Sequence, residues 1–267
     1  MAYVSLTAGL LYSLIHGAAA LPTDKTGGQL NDEGDFVHRP VHWNGVEFDG
    51  APKKLTDLST KAKHHHGAVQ PFIAGAMESE GGHDTYRVYL LFDDKVGASM
   101  YAVYGDEYSA LSIHTDDGSS FYQVESPFGT DTGGVHSAMY EVKPEARFDS
   151  WLTFNQDDGE NKDKINSIGF PWDGFNSGGK LTTSDGAMFL MNPDEIPAFT
   201  GELPNEIADK TGRAVLLAQL TVKSGTTFTG HVNVQGKTLD GGSWQEHGVC
   251  FSIGAGCTKH PRVHDEM

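Results

Sequence analysis

The chain has 267 residues, and 36 Asp and Glu against 19 Lys and Arg give it a formal net charge of −17. That balance opposes the phosphate neutralisation that dominates nucleic-acid affinity and argues against nucleic acid or anionic membranes as partners. The length suffices for one large β domain with an extension, and for a core that needs neither metal nor many disulfides.

The first twenty residues, "MAYVSLTAGLLYSLIHGAAA", hold no Asp, Glu, Lys or Arg and run through an apolar centre to Ala18 and Ala20. This pattern predicts a signal peptide over residues 1–20, cleaved before Leu21, with a membrane anchor as the alternative. A bipartite plastid leader is a third reading, opposed by the acidic "TDKTGGQLNDEGD" that follows, since transit peptides are poor in acid. No later stretch reaches the roughly 20 apolar residues of a bilayer span, so no span is expected in the mature chain.

Residues 21–82 read as a polar, loosely ordered extension. One short hairpin is expected within it, over "VHWNGVEFDG", where Asn44-Gly45 turns between Trp43 and Val46. "KAKHHHGA" places His64, His65 and His66 together; consecutive residues of an extended segment face opposite ways, so three in a row cannot converge on one ion unaided. A basic patch able to dock on the acidic domain is the first reading. A copper or zinc site completed by His38, His42 or His83 is the second.

Beyond Gly82 strand signals crowd together, and residues 83–253 are assigned to one β domain. "TYRVYLLFDD" sets Tyr86, Val88, Leu90 and Phe92 on one face against Arg87, Tyr89, Leu91 and Asp93 on the other. Further strands are predicted at "SMYAVYG", "ALSIHT", "SFYQV", "DSWLTFN", "INSIGF", "AMFLM", "AVLLAQLTV", "TFTGHVNVQG" and "WQEHGVCFSI". About ten strands without a long helical period predict an all-β fold, an antiparallel β-sandwich or jelly roll. "AVLLAQLTV", apolar on both faces, is expected at the centre of a sheet.

Between two of these strands lies "FNQDDGENKDK", with Asp157, Asp158, Glu160 and Asp163. No register puts oxygen ligands and glycine where an EF-hand needs them. The loop is read as a solvated hairpin tip turning at Asp158-Gly159, with a non-EF calcium site built from those four carboxylates as the alternative. "GFNSGGKL" resembles a phosphate-binding loop but ends in Leu181 where a magnesium-binding hydroxyl belongs, and it precedes a strand. It is read as a glycine-rich connection.

In "TFTGHVNVQGK" alternation turns Phe228, Val232 and Val234 inward and leaves Thr229, His231, Asn233 and Gln235 as an outer polar stripe. A plain hydrated sheet face is the first reading; the second is a sugar-binding sheet, which pairs such a stripe with an exposed aromatic platform, for which Trp244 or Trp172 is the candidate. The tail, residues 254–267, closes the chain. Cys250 and Cys257 are the sole cysteines and are expected to form a disulfide, which in the entropy account constrains a short loop by roughly 2–3 kcal/mol. A zinc site shared with His260 and His264 is the alternative. No G-x-S-x-G elbow or H-E-x-x-H motif is present.

The succession "TYRVYLLF", "AVYGDEYSALSI", "FYQVESPFG", "DSWLTF", "FNSGG", "GAMFL", "RAVLLAQLTV" and "GHVNVQG" resembles an extracellular β domain that recurs in secreted or surface proteins of marine bacteria and algae. The resemblance spans about Thr85 to Phe251. It implies the fold and a location outside the cell, and carries over no functional residue. The expected function is therefore that of a secreted or surface matrix, wall or scaffold protein without catalysis, with polysaccharide, calcium or other matrix proteins as partners and self-assembly within its reach. The alternative is an exported polysaccharide-active enzyme using paired carboxylates.

Overall fold

The computed structural model of the chain describes residues 69–79, 81–92, 97–160, 162–193, 214–254 and 257. The leader over residues 1–20, the hairpin around Asn44-Gly45, His38, His42, the His64–His66 run, His260 and His264 lie outside the described residues.

Two antiparallel sheets face each other, and the all-β sandwich predicted from the strand pattern is what the chain forms. The first sheet has the order β1 (Gln70–Ser79), β2 (His83–Leu91), β9 (Ala214–Lys223) and β5 (Trp151–Leu152). The second contains β3 (Gly97–Tyr104), β4 (Leu111–Thr115), β6 (Ile165–Ile168), β7 (Lys180–Thr183), β8 (Ala187–Leu190), β10 (Phe228–Thr238) and β11 (Ser243–Ile253). Its pairing is simpler than seven strands suggest. The inner half of β10 pairs with β4 and its outer half with β3 along the same side, so β3 and β4 form one line interrupted by the excursion of residues 105–110. β7 and β8 likewise continue one another beside them, with β6 outermost and β11 on the other flank of β10.

The main core fills the space between the sheets. Val88, Leu90 and Phe92 of the second strand meet Leu217, Val222, Phe228, Val232, Val234, Trp244 and Phe251, all nearly inaccessible to water. The alternation read in "TYRVYLLFDD" holds, but its second face is not solvated. Tyr89 and Leu91 join Ala74, Trp151, Ala214 and Leu216 in a smaller cluster on the outer side of the first sheet. This explains why β9 is apolar on both faces: it lies inside its sheet, between β2 and β5, with packing above and below.

Three readings are corrected. Residues 70–79, placed in the polar extension, form the edge strand β1; a bulge between Gly75 and Met77 breaks the alternation that would have betrayed it. "SFYQV" is not a strand: Phe121 is buried, yet this stretch joins no ladder, and Tyr122 N–H donates singly to the Thr221 carbonyl. The acidic loop is not a hairpin tip. β5 belongs to the first sheet and β6 to the second, so residues 153–164 cross between the layers. A crossing segment must bury its first half, and Phe154, Asn155 and Gln156 are inaccessible. Asn155 takes the left-handed conformation (φ 62°) and its Oδ1 accepts the Leu216 N–H at 2.8 Å, tying the crossing to β9.

Short helices complete the chain: α1 (Ala138–Val142) and α2 (Trp172–Gly178), the latter capped by Gly179 in the left-handed region. In "GFNSGGKL" the helix ends where a phosphate-binding loop would open one, which agrees with a plain connection. Among the described residues no helix is long and apolar enough to cross a membrane.

Candidate functional site

Tandem pairing of β3 and β4 along β10 creates a gap. Tyr104, last in β3, lies opposite Asn233; Ser112 of β4 lies opposite His231. Eight residues of chain thus span two rungs of the ladder, and the surplus loops out of the sheet. Glycine is required at the departure point, because a Cβ on Gly105 would sit 2.0 Å from the Thr183 carbonyl oxygen. The loop is held by its own turn. Asp106 Oδ1 accepts the backbone N–H groups of Tyr108 (3.0 Å) and Ser109 (2.8 Å), while Asp106 N–H donates to the Ser109 carbonyl.

On the opposite flank β11 carries a bulge. Val234 pairs with Glu246 and Val232 with Val249, so His247 and Gly248 together oppose Asn233. Gly248 supplies the positive φ of 67° that the bulge requires. The extra residue reverses the alternation. Glu246 keeps to the interior, with its Oε2 accepting Val69 N–H at 2.6 Å, and His247 is delivered to the outer face.

There three side chains meet. The Tyr104 hydroxyl lies 3.2 Å from His247 Nε2, with the two rings edge to face. His247 Nδ1 lies 3.4 Å from Asp106 Oδ2, the spacing of an ion pair rather than of a tight hydrogen bond. In the Nδ1–H tautomer, Nε2 accepts from the phenol. Burial, then the Asp106 charge and Tyr101, push the Tyr104 phenol up to about 12. The outcome is a phenol, an imidazole and a carboxylate in series, the last already oriented by two amides.

Asn233 locks this arrangement. Its Nδ2 donates to the Ser109 carbonyl at 2.6 Å, its Oδ1 accepts Gly248 N–H at 3.0 Å, and the side chain is fully buried. One amide thereby ties the excursion to the bulge. Asn233→Ala is expected to cost about 2–3 kcal/mol, because both partners lose a buried bond. Urea unfolding checks it; a loss below about 1 kcal/mol would mean the loop is held elsewhere.

No protein-family model, no curated protein and no solved structure matches this chain. Function has to be read from the site itself.

Of the residues expected to bind a ligand, the structure splits the group. Phe228, Val232 and Val234 do point inward. His231 and Gln235 are half-buried on the outer face, where Gln235 hydrogen-bonds Tyr101 and Lys237 lies beside the same ring. Thr229 is covered, donating to Asp116 Oδ1 at 2.9 Å, and Asn233 is the lock described above. Trp244 is no platform: it is 1% exposed, packs against Phe92, and its indole N–H donates to the Lys237 carbonyl. Trp172 packs with Phe170 and Phe175 and donates to Ser167 Oγ. Among the described residues the exposed aromatic is Tyr108, 76% accessible in the excursion.

The carboxylates proposed for calcium are dispersed. Asp157 pairs with Arg87 at 2.9 Å, Asp158 accepts the Glu160 N–H, Glu160 faces His136 at 3.7 Å, and Asp163 sits in a 3-10 turn. Among the described residues no three His, Cys, Asp or Glu side chains gather as a metal site. Cys250 and Cys257 form the expected disulfide, with Cα atoms 5.8 Å apart.

Two signals in the sequence mark the Tyr104, Asp106 and His247 constellation. Gly105-Asp106 inside "AVYGDEYSALSI" and His247-Gly248 inside "WQEHGVCFSI" each place glycine within a strand pattern, the mark of a bulge or an excursion.

Proposed function

We propose that the protein is a polysaccharide-binding β-sandwich acting outside the cell, in a wall or matrix, with its ligand on the outer face of the larger sheet. The observation that carries this reading is the exposed Tyr108, raised on an anchored loop four residues after Tyr104, on a sheet that also carries the half-buried Tyr101, Gln235 and Lys237. A sugar chain offers C–H faces to stack on such a ring and hydroxyls for the polar groups beneath it. The Cys250–Cys257 disulfide and the acid-free leader fit an oxidising destination.

Calorimetric titration of the protein with neutral and acidic polysaccharides tests the reading. Tyr108→Ala is expected to weaken binding about tenfold while leaving the melting temperature unchanged, because the ring contributes to the ligand and not to the core. Undiminished binding by that variant would move the ligand off this face.

A further inference from the structure

We infer that Tyr104, His247 and Asp106 form a proton-transfer site that cleaves uronate-containing polysaccharides by β-elimination. The inference rests on the polysaccharide reading above and adds chemistry to it.

Hydrolysis by a pair of carboxyls needs two acids flanking the scissile bond. This constellation has one carboxylate, turned toward an imidazole and two backbone amides. What it does have is a base within reach of a hydroxyl, with a carboxylate 3.4 Å from the base's other nitrogen, where an imidazolium would be stabilised. A bulge aims the imidazole and a buried asparagine fixes both partners' segments, so the geometry is held before any ligand arrives.

Elimination suits these parts. The Tyr104 phenol passes its proton to His247 Nε2, and Asp106 stabilises the resulting imidazolium. The phenolate oxygen takes the proton from C5 of the uronate, the electron pair forms the C4=C5 bond, and the C4–O4 bond breaks. The departing oxygen takes a proton from the Tyr104 phenol, and His247 returns its own proton to the tyrosine side as the site resets. No water, oxidant or metal is consumed, and the products are an unsaturated non-reducing end and a new reducing end. The raised pKa of Tyr104 keeps it a phenol at rest, so His247 has to take its proton before the oxygen can act as a base.

A uronate carboxylate must be neutralised if a proton is to leave the adjacent carbon. His231 and Gln235 lie two residues to either side of Asn233, whose Cα partner is Tyr104, which puts them at diagonal distances of about 7–8 Å on the same face. Lys237 continues the line, so an extended polyanion along β10 meets the Gln235 amide and the Lys237 ammonium, while His231 Nε2 faces Cys250 Sγ at 3.7 Å. The net charge of −17 opposes such a ligand at long range, and binding is therefore expected to strengthen as salt screens that repulsion.

The test incubates the protein with polygalacturonate, polyglucuronate and polymannuronate, with a neutral glucan as control. It follows the ultraviolet absorbance of the conjugated product and, in parallel, binding by calorimetry. The expected result is an unsaturated product from at least one polyuronate and none from the glucan. Tyr104→Phe and His247→Gln should each lower the rate at least about 100-fold, with binding weakened less than about tenfold. Asp106 acts through His247 as a positioning residue. Asp106→Asn keeps the oxygen that holds the loop turn, so kcat is expected to fall while KM stays. Binding of a polyuronate without unsaturated product overturns the inference and leaves the binding reading standing. Product formed by Tyr104→Phe at the unaltered rate overturns it too, and failure of every polysaccharide to bind overturns both.

Discussion

Truncating Trp244 to alanine is expected to destabilise the fold by about 3–5 kcal/mol. The indole is the largest fully buried side chain among the described residues and packs against Phe92 at a centroid distance of 5.8 Å. Its removal leaves a cavity beneath Gly236, whose hydrogen-bearing Cα lies so close to the ring that an added Cβ would be 2.3 Å from it. Glycine at 236 and tryptophan at 244 are Cα partners, and each makes sense only with the other. Guanidinium unfolding measures the loss. A variant that unfolds like the parent yet no longer binds polysaccharide would restore Trp244 as a surface platform and overturn the packing described here.

The second large effect is a pH dependence centred on Asp149. Its carboxylate is fully buried and accepts the Val124 and Thr130 N–H groups at 2.7 Å each, while Gln219 Nε2 donates to its carbonyl at 2.9 Å. Burial raises its pKa from 3.8 to about 7; the Thr130, Val124 and Ser150 backbone amides pull the other way, and the Asp131 charge adds to the rise. A raised value means that the folded state binds the proton more tightly than the unfolded chain. Stability from this group therefore grows as pH falls from about 7 toward 3.8, and is lost as pH rises through 7. The full span corresponds to roughly 4 kcal/mol. Denaturant unfolding of the parent and of Asp149→Asn at intervals between about pH 8 and pH 4 isolates the term, since the variant cannot titrate there. The parent should gain on the variant as the solution is acidified. Parallel curves, or a parent that gains toward alkaline pH, would show the amides holding an ionised carboxylate.

Much of the architecture was legible because period-two alternation is a local property. "TYRVYLLFDD" announced its two faces, and the doubly apolar "AVLLAQLTV" announced a central strand. Errors arose where the chain departs from alternation. The bulge in β1 hid an edge strand inside a segment that composition assigned to the extension, and "SFYQV" looked like a strand although its backbone bonds go to scattered partners. The acidic loop shows the same limit from another side. Its two flanking strands read as neighbours, yet pairing with β9 and with β8 sends them to opposite sheets.

The candidate site was half legible. The outer stripe of β10 was found from alternation, and His231 and Gln235 keep their places on it. Burial of Thr229 and Asn233 was not visible, because the groups that cover them, Asp116 and the Ser109 carbonyl, come from 113 and 124 residues away along the chain. Sequence alone determined the β-sandwich class, the acidic charge balance and the pairing of the two cysteines, which follow from local period, composition and the count of thiols. Only the tertiary structure decided that Trp244 is core, that Tyr108 is the exposed ring, and that Tyr104, Asp106 and His247 meet. The physical reason is that a bulge on one strand and an excursion on another must be set against the same residue, Asn233, and that register is fixed by packing over the whole sheet rather than by any one segment of it.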